Sequence, residues 1–395
     1  MIARIIIPLF VGIVLPYLWL DRHELRPCAW WRRCLLWLPA ILMLGYSVYL
    51  ALLPDFVPSV PLLIDVWFGL MAVLAVPQFV YAFFSSLGCL LGRWLPVCRR
   101  WGSRVGVAMA VVAFGSFVYG FTLGFRNLEV KHVTLYLPDL PRSFDGYRIV
   151  QFGDIHIGSF YGWRSDLPQR DVDSILAQHP DMICFTGDLQ NAHPSEIEPN
   201  KKLLGSLRAK DGVFSVLGNH DYSKYVDADS IEKRAIERRV CALEREMGWQ
   251  LLCNEHRVVR RGTDSIYVAG TENYDRPKHT DVAKALYGIP RGAFVLMLQH
   301  IPTQWREMWP SDINEKHGSR DTVLQVAPQL TLSGHTHAGQ VRVLGLRPTI
   351  FAPFDYGLYE REGCQLYTTA GLGGVVPIRI GATAEIVVFT LKTRH

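Results

Sequence analysis

Cysteine is scarce and poorly placed for a scaffold: there are eight in 395 residues, and Cys28, Cys34, Cys89 and Cys98 all fall in the apolar first third. No disulfide framework emerges from the spacing. Cys241 and Cys253 are the one pair that could join in an oxidising compartment, and Cys184 falls inside an expected core strand. No run of Lys and Arg interleaved with aromatics follows residue 126, so the net charge of +5 is not a nucleic-acid footprint and no nucleic-acid partner is expected. Internal repeats and low-complexity tracts are absent too, which excludes solenoids and repetitive linkers.

The absence with the largest consequence is that of charge. Ile5 to Leu20, Cys34 to Pro54, Val66 to Gly92 and Val105 to Phe125 contain no charged residue. As helices the last three are long enough to cross roughly 30 Å of hydrocarbon, and the first is marginal. No small-x-small cleavage site follows the first stretch, only Asp21, Arg22 and His23, which argues against a signal peptide. Residues 1–125 therefore read as an all-α transmembrane region of about four helices in a multi-pass protein of the cell membrane, with the lipid bilayer as partner. Loop one carries Arg22, Arg26, Arg32 and Arg33, the loop from Pro54 to Asp65 no Lys or Arg, and the third loop Arg93, Arg99, Arg100 and Arg104. This pattern predicts loops one and three in the cytoplasm and everything after Phe125 outside it. Arg4, Arg126, Lys131 and Arg142 weigh the other way.

Residues 126–146 are polar and contain proline, and read as a strand and linker lifting the remainder, 147–395, off the bilayer. From Gly146 onward short apolar runs alternate with helical segments, an α/β pattern. Strands are expected at Tyr147–Phe152, Met182–Thr186, Val213–Leu217, Ile266–Ala269, Phe294–Leu298, Leu330–Ser333, Gln365–Thr369 and Glu385–Leu391. Helices are expected at Asp171–Gln178, Lys201–Arg208, Ser230–Met247 (with Ser230 as cap) and Asp281–Tyr287.

Five of these strands run into polar clusters: Gly153-Asp154-Ile155-His156, Gly187-Asp188-Leu189-Gln190-Asn191, Gly218-Asn219-His220-Asp221, Gln299-His300-Ile301-Pro302 and Gly334-His335-Thr336-His337. Strand ends are where α/β sheets place ligands. In the last cluster Gly334 permits a sharp turn. Alternation along an extended chain would put His335 and His337 on one side and Thr336 on the other, delivering two nitrogens to one ion or one to each of two. A G-H-x-H string alone arises by chance in roughly 4% of chains of this composition, so its weight comes from its companions. Asp, His and Asn suit Mn, Fe, Zn, Co or Mg, and no cluster contains the Cys a thiolate site needs. Asp188 can bridge two ions, and Asn219 adds a neutral carbonyl. Two divalent ions roughly 3.5 to 4 Å apart make the clamp used for in-line attack at phosphorus.

The ordered motifs D-x-H, G-D, G-N-H-D, H-x-P and G-H-x-H over Tyr147 to Leu391 resemble the calcineurin-like metallophosphoesterases. The tail Ala370-Gly371-Leu372-Gly373, with Pro377-Ile378-Arg379 and Glu385-Ile386, resembles the membrane-linked bacterial phosphodiesterase branch. That resemblance implies a two-sheet sandwich flanked by helices. It also implies Asp154, His156, Asp188 and His337 on one metal, Asp188, Asn219, His300 and His335 on the other, and His220 as the acid for the leaving oxygen. The family's second Asp is here Asn191, which can accept a hydrogen bond from His220 but lends it no charge. Singly, each residue has a blander reading as a helix cap, turn former or satisfied core group; jointly the ordered set outweighs those readings. The loop Phe160-Tyr161-Gly162-Trp163 is a candidate lipid-facing lip, although packing on the core or rim is the favoured reading.

The expected function is a membrane-anchored, dinuclear-metal-dependent phosphodiesterase acting on a lipid-linked or envelope phosphodiester outside the cytoplasm. A cytoplasm-facing pyrophosphatase of a nucleotide-linked lipid would use the same residues and differs in topology. A non-catalytic membrane sensor on the same fold is disfavoured, because every ligand position and His220 are present.

Overall fold

The computed structural model describes residues 2–53, 60–310 and 326–393, with side chains from residue 11 onward. It divides into two compact units, residues 1–123 and 124–395.

The first unit is helical: Ile2–His23, Trp30–Ala51, Pro61–Leu91 and Val97–Gly124. Among the described residues, the last three helices are long and apolar enough to cross a membrane. Part of the loop expected between the second and third helices, residues 54–59, lies outside the described residues. Pro77 lacks an N–H and its ring crowds the carbonyl four residues back, and the helix answers with a widened π turn at Met71–Ala75. Gln78 Nε2 reaches the Val73 carbonyl released there, at 3.5 Å. The third and fourth helices meet backbone to backbone. A Cβ on Gly102 would lie 2.5 Å from the Gly88 Cα, and the Ser85 and Ser103 hydroxyls approach to 3.4 Å beside it. Small residues at the crossing allow this approach.

The second unit contains β1 (Leu128–Leu137), β2 (Arg148–Phe152), β3 (Met182–Phe185), β4 (Val213–Ser215), β5 (Gln250–Leu251), β6 (Glu255–Arg261), β7 (Asp264–Gly270), β8 (Phe294–Leu298), β9 (Leu330–Ser333), β10 (Gly357–Arg361), β11 (Cys364–Thr368) and β12 (Ala384–Thr393). They form two six-stranded mixed sheets, β1-β12-β2-β3-β4-β5 and β10-β11-β9-β8-β7-β6. Ile149, Met182 and Phe214 of the first sheet pack against Ile266, Leu296, Leu332 and Tyr367 of the second, giving the sandwich core. The outer face of the first sheet is covered by Val172 and Ile175 of the helix Leu167–Leu176 and by Val240 and Leu243 of the helix Ser230–Glu246. The outer face of the second is covered by Trp305, Met308 and Trp309.

Several local expectations change. The strand expected near residue 130 is no stalk: β1 pairs in parallel with β12 over its whole length. The long helix is capped by Asp229, whose carboxylate accepts from the N–H groups of Ile231 and Glu232, and not by Ser230. The helix expected over Lys201–Arg208 spans only Lys201–Leu204. Strands β5, β6 and β10 were not expected. β6 reads EHRVVRR and sits at a sheet edge with Arg257 and Arg260 in solvent, so it lacks the two apolar faces by which a buried strand announces itself.

Topology positions the site. β2, β3 and β4 are parallel, β12 is antiparallel to β2, and β1 is parallel to β12. The carboxyl ends of β2, β3 and β4 therefore lie at the same edge as Leu128, where the chain enters the sheet after residues 125–127.

Candidate metal centre

Each cluster follows a strand that stops at that edge, and the backbone there is not extended. Asp154, His156, Asp188, His335 and His337 have φ of 48°, 48°, 60°, 79° and 52°. For a side chain other than glycine this left-handed region costs on the order of 1 kcal/mol or more, so the packing of the two sheets must hold these residues in place. The alternation argument for His335 and His337 therefore fails in its geometry. The left-handed turns at both residues send the imidazoles to different places, one to each of two groups. Gly334 is required for a different reason from the turn proposed: a Cβ there would lie 2.3 Å from Asp154 Oδ2.

Asp154, His156 and His337 form one group of potential ligands, and Asp188, His300 and His335 another, each within 4.8 Å. Asp188 joins them: its Oδ2 lies 3.5 Å from His156 Nε2 and 3.2 Å from His300 Nε2. Asn219 belongs to the second group, its Oδ1 being 3.2 Å from His300 Nε2 and its Nδ2 turned to the Tyr225 hydroxyl at 3.3 Å. Asp154, His156, Asp188, Asn219 and His300 are buried, whereas His220, His335 and His337 are partly exposed and form the open side.

The donor chemistry fits divalent cations. His300 Nδ1 faces the Thr186 carbonyl at 2.8 Å and must donate to it, leaving Nε2 as a lone pair in the neutral ring. That lone pair converges with Asn219 Oδ1, Asp188 Oδ2 and His335 Nδ1, the last also at 3.2 Å. Both ring nitrogens of His156 are buried without a hydrogen-bond partner. Burial pushes the His156 imidazole down to about 3, and burial together with the neighbouring His300 does the same to His335. Burial also disfavours a charged His300, but the Asp188 carboxylate outweighs it and raises His300 to about 9. His156 and His335 held neutral, a His300 drawn toward positive charge by Asp188, two buried carboxylates and an amide together demand positive charge, and hard or borderline dications supply it by displacing the His300 proton.

His220 stands beside both groups, within 4.8 Å of His156 and Asp188 ligand atoms. Its Nδ1 lies 2.6 Å from the main-chain carbonyl of Asn191, which fixes the tautomer and leaves Nε2 toward the cleft. Here the expectation changes: the Asn191 side chain turns away to Ser159 Oγ at 3.2 Å, so the residue steadies His220 through its backbone.

Comparison with known proteins agrees with this geometry. Residues 147–339 match the family model described as calcineurin-like phosphoesterase, and residues 3–125 match one described as probable calcineurin-like phosphoesterase, transmembrane domain. A transmembrane protein with metallophosphoesterase domain from Danio rerio is 31% identical over 340 residues, covering 82% of this chain and 72% of its own. The chain belongs to the calcineurin-like phosphoesterases. Another member, the uncharacterized metallophosphoesterase YkuE of Bacillus subtilis, is 28% identical over 300 residues, covering 73% of this chain and 94% of its own. The protein is a membrane-associated metallophosphoesterase.

Three further residues hold the phosphoesterase loops in place, and sequence reasoning gave none of them a role. Asp221 accepts from the N–H groups of Gly218 (2.8 Å), Asp188 (2.9 Å) and Leu189 (3.1 Å), tying two ligand loops together. Its place in G-N-H-D was the available signal. Glu196 accepts from the N–H groups of Asn191, Ala192 and His193, which sets the carbonyl that orients His220. Arg379, fully buried, donates to the carbonyls of Ala370, Gly371, Gly373 and Ala382. Gly373 N–H in turn donates to the Asp154 carbonyl at 2.8 Å, so Arg379 braces the loop behind that ligand. Of the candidate lip, Phe160 is buried against Phe125 and Trp163 is exposed. Cys241 and Cys253 are free thiols.

Proposed function

We propose that this metallophosphoesterase is a phosphodiesterase acting on a lipid-linked or envelope phosphodiester outside the cytoplasm, with Asp154, His156, Asp188, Asn219, His300, His335 and His337 holding two divalent ions. The observation that carries the two-ion reading is Asp188 Oδ2, placed between the Nε2 atoms of His156 and His300. When bound, such ions offset charge on the phosphoryl oxygens and supply a nucleophilic water at neutral pH. His220, fixed through Nδ1 by the Asn191 carbonyl, presents Nε2 to protonate the leaving oxygen. The lipid-linked substrate class is supported by the short covalent link, residues 125–127, between a membrane-length helix and the sheet edge that carries the site.

The test is a metal-by-substrate screen on the full chain, comparing phosphomonoesters, phosphodiesters and pyrophosphates. Highest turnover on phosphodiesters is expected. A preference for pyrophosphates would favour the cytoplasm-facing pyrophosphatase, and no turnover with any metal would favour a sensor. Sidedness is tested separately: a reporter that requires export should be active when joined after Arg126, and a cytoplasmic reporter when joined after Arg99. The reverse pattern would place the domain in the cytoplasm.

A further inference from the structure

The hairpin that follows the His335–His337 turn breaks a local rule with no gain inside the fold. Val343 and Leu346 exchange both main-chain hydrogen bonds, at 3.0 and 2.9 Å, and close a two-residue loop. Both loop residues, Leu344 and Gly345, are left-handed, with φ of 50° and 83°. Such a turn favours Asn, Asp or Gly at its first position. Leucine there is strained, and this one is 98% exposed. Further along the same loop Phe351 is 96% exposed, and Val343, Leu346 and Ile350 are also in solvent. Elsewhere on this unit exposed large side chains such as Tyr136, Ile231 and Tyr287 lie far apart in the sequence, whereas here five gather in one loop, and an apolar cluster of that kind marks an interface.

The base of the loop is tied to the site and to a particular edge. Thr336, between the two ligand histidines, donates its hydroxyl to the Asp355 carbonyl, and Arg347 and Thr349 bond the Asp355 carboxylate. Val341 bridges to Ile380 and Gly381, just before Ala384, which is paired with Leu128. The apolar tip thus rises from the edge that carries the metal loops and receives the chain from the helix Val97–Gly124. Trp163, 45% exposed, belongs to the same edge: its carbonyl accepts from Arg126 Nη1 at 2.7 Å, and Arg126 follows that helix directly. Arg342 is exposed at the foot of the hairpin. Leu and Phe at a tip, with Trp and arginines behind them, is the composition that seats at the boundary of lipid headgroups and acyl chains.

We propose that residues 342–351 form an interfacial anchor, in which Leu344 and Phe351 insert into a lipid surface and hold the open side of the metal centre at headgroup level. The anchor rests on the chain's membrane association and not on which phosphoester is cleaved. It is tested with the full chain in nanodiscs of phosphatidylcholine and phosphatidylglycerol, carrying the photoreactive residue p-benzoylphenylalanine in place of Leu344 or Phe351. Tyr136 and Tyr287 serve as control positions, being 61% and 69% exposed: Tyr136 lies at the end of β1 away from Leu128, and Tyr287 follows the helix Val282–Leu286 on the way into β8. Bound metal equal to that of the native chain reports an intact fold in each variant. After irradiation, intact mass should show phospholipid adducts at 344 and 351 and none at 136 and 287. Lipid capture that is absent at 344 and 351, or equal at all four positions, would overturn the anchor. So would a cross-link to a second copy of the chain, which would make the loop a contact between copies. None of these outcomes depends on turnover, so failure here is separate from failure of the phosphodiesterase reading.

Discussion

The two units turn different kinds of side chain outward. In the first, Leu35, Leu38, Ile41 and Leu42 face outward while the small Ala40, Ser47, Ala75 and Ser85 are buried at helix contacts, along with Ile13, Tyr17 and Met43. In the second, Phe152, Phe185, Phe214 and Trp305 are buried, together with Arg379, Glu244, Asp154 and Asp188. Water drives large apolar groups inward, and a solvent of lipid tails gives no such drive. Helices in lipid gain instead from close approach, which small residues permit. The contrast identifies the solvent of each unit from packing alone, independently of hydropathy. It also makes the exposed tip at Leu344 and Phe351 conspicuous, because that tip obeys the packing rule of the first unit while belonging to the second.

If the second unit is held by buried polar groups that satisfy the main chain, removing one should cost more than any change in the first. Arg379→Leu leaves four carbonyls without their donor and is expected to destabilise that unit by about 3 kcal/mol or more, read as a fall in the denaturation midpoint. A change below about 1 kcal/mol would mean that loop 370–373 is held by other contacts. Next in size, His220→Ala should slow cleavage of an alkyl phosphodiester by about a hundredfold or more, and that of an aryl diester, whose leaving oxygen needs no proton, far less. Equal losses on both would make His220 a binding residue.

In the first unit, Gly102→Val forces a side chain into the Gly88 backbone and is expected to cost about 1 to 3 kcal/mol of helix packing, seen as a lower melting temperature in detergent. An unchanged melting temperature would show that the close crossing does not support the unit. Smallest of all should be Asn191→Ala. The carbonyl that orients His220 survives the substitution, so activity should stay within about threefold of the native value. A loss as large as that of His220→Ala would return the role to the side chain.

The sequence disclosed the candidate ligand loops because strand, glycine and polar cluster recur in one order, and each lies within a few residues of a short apolar strand. It disclosed the membrane helices because charge is missing over whole spans. It hid what acts through main-chain atoms. The Asn191 carbonyl, the N–H groups gathered by Asp221 and Glu196, and the carbonyls held by Arg379 depend on backbone geometry, on which side-chain identity is silent. β6 escaped because an edge strand rich in arginine lacks the apolar alternation of a half-buried one. The true reason for Gly334 escaped because close approach to Asp154 is a fact of the folded sheet pair, not of the local turn.

The central claim is that two ions share Asp188. Bound metal per chain, measured by mass spectrometry on the full protein alongside turnover, tests it most directly. The native chain should hold two equivalents, His335→Ala should lose mainly one, and Asp188→Ala should lose both along with activity. Two equivalents retained by Asp188→Ala would contradict the claim.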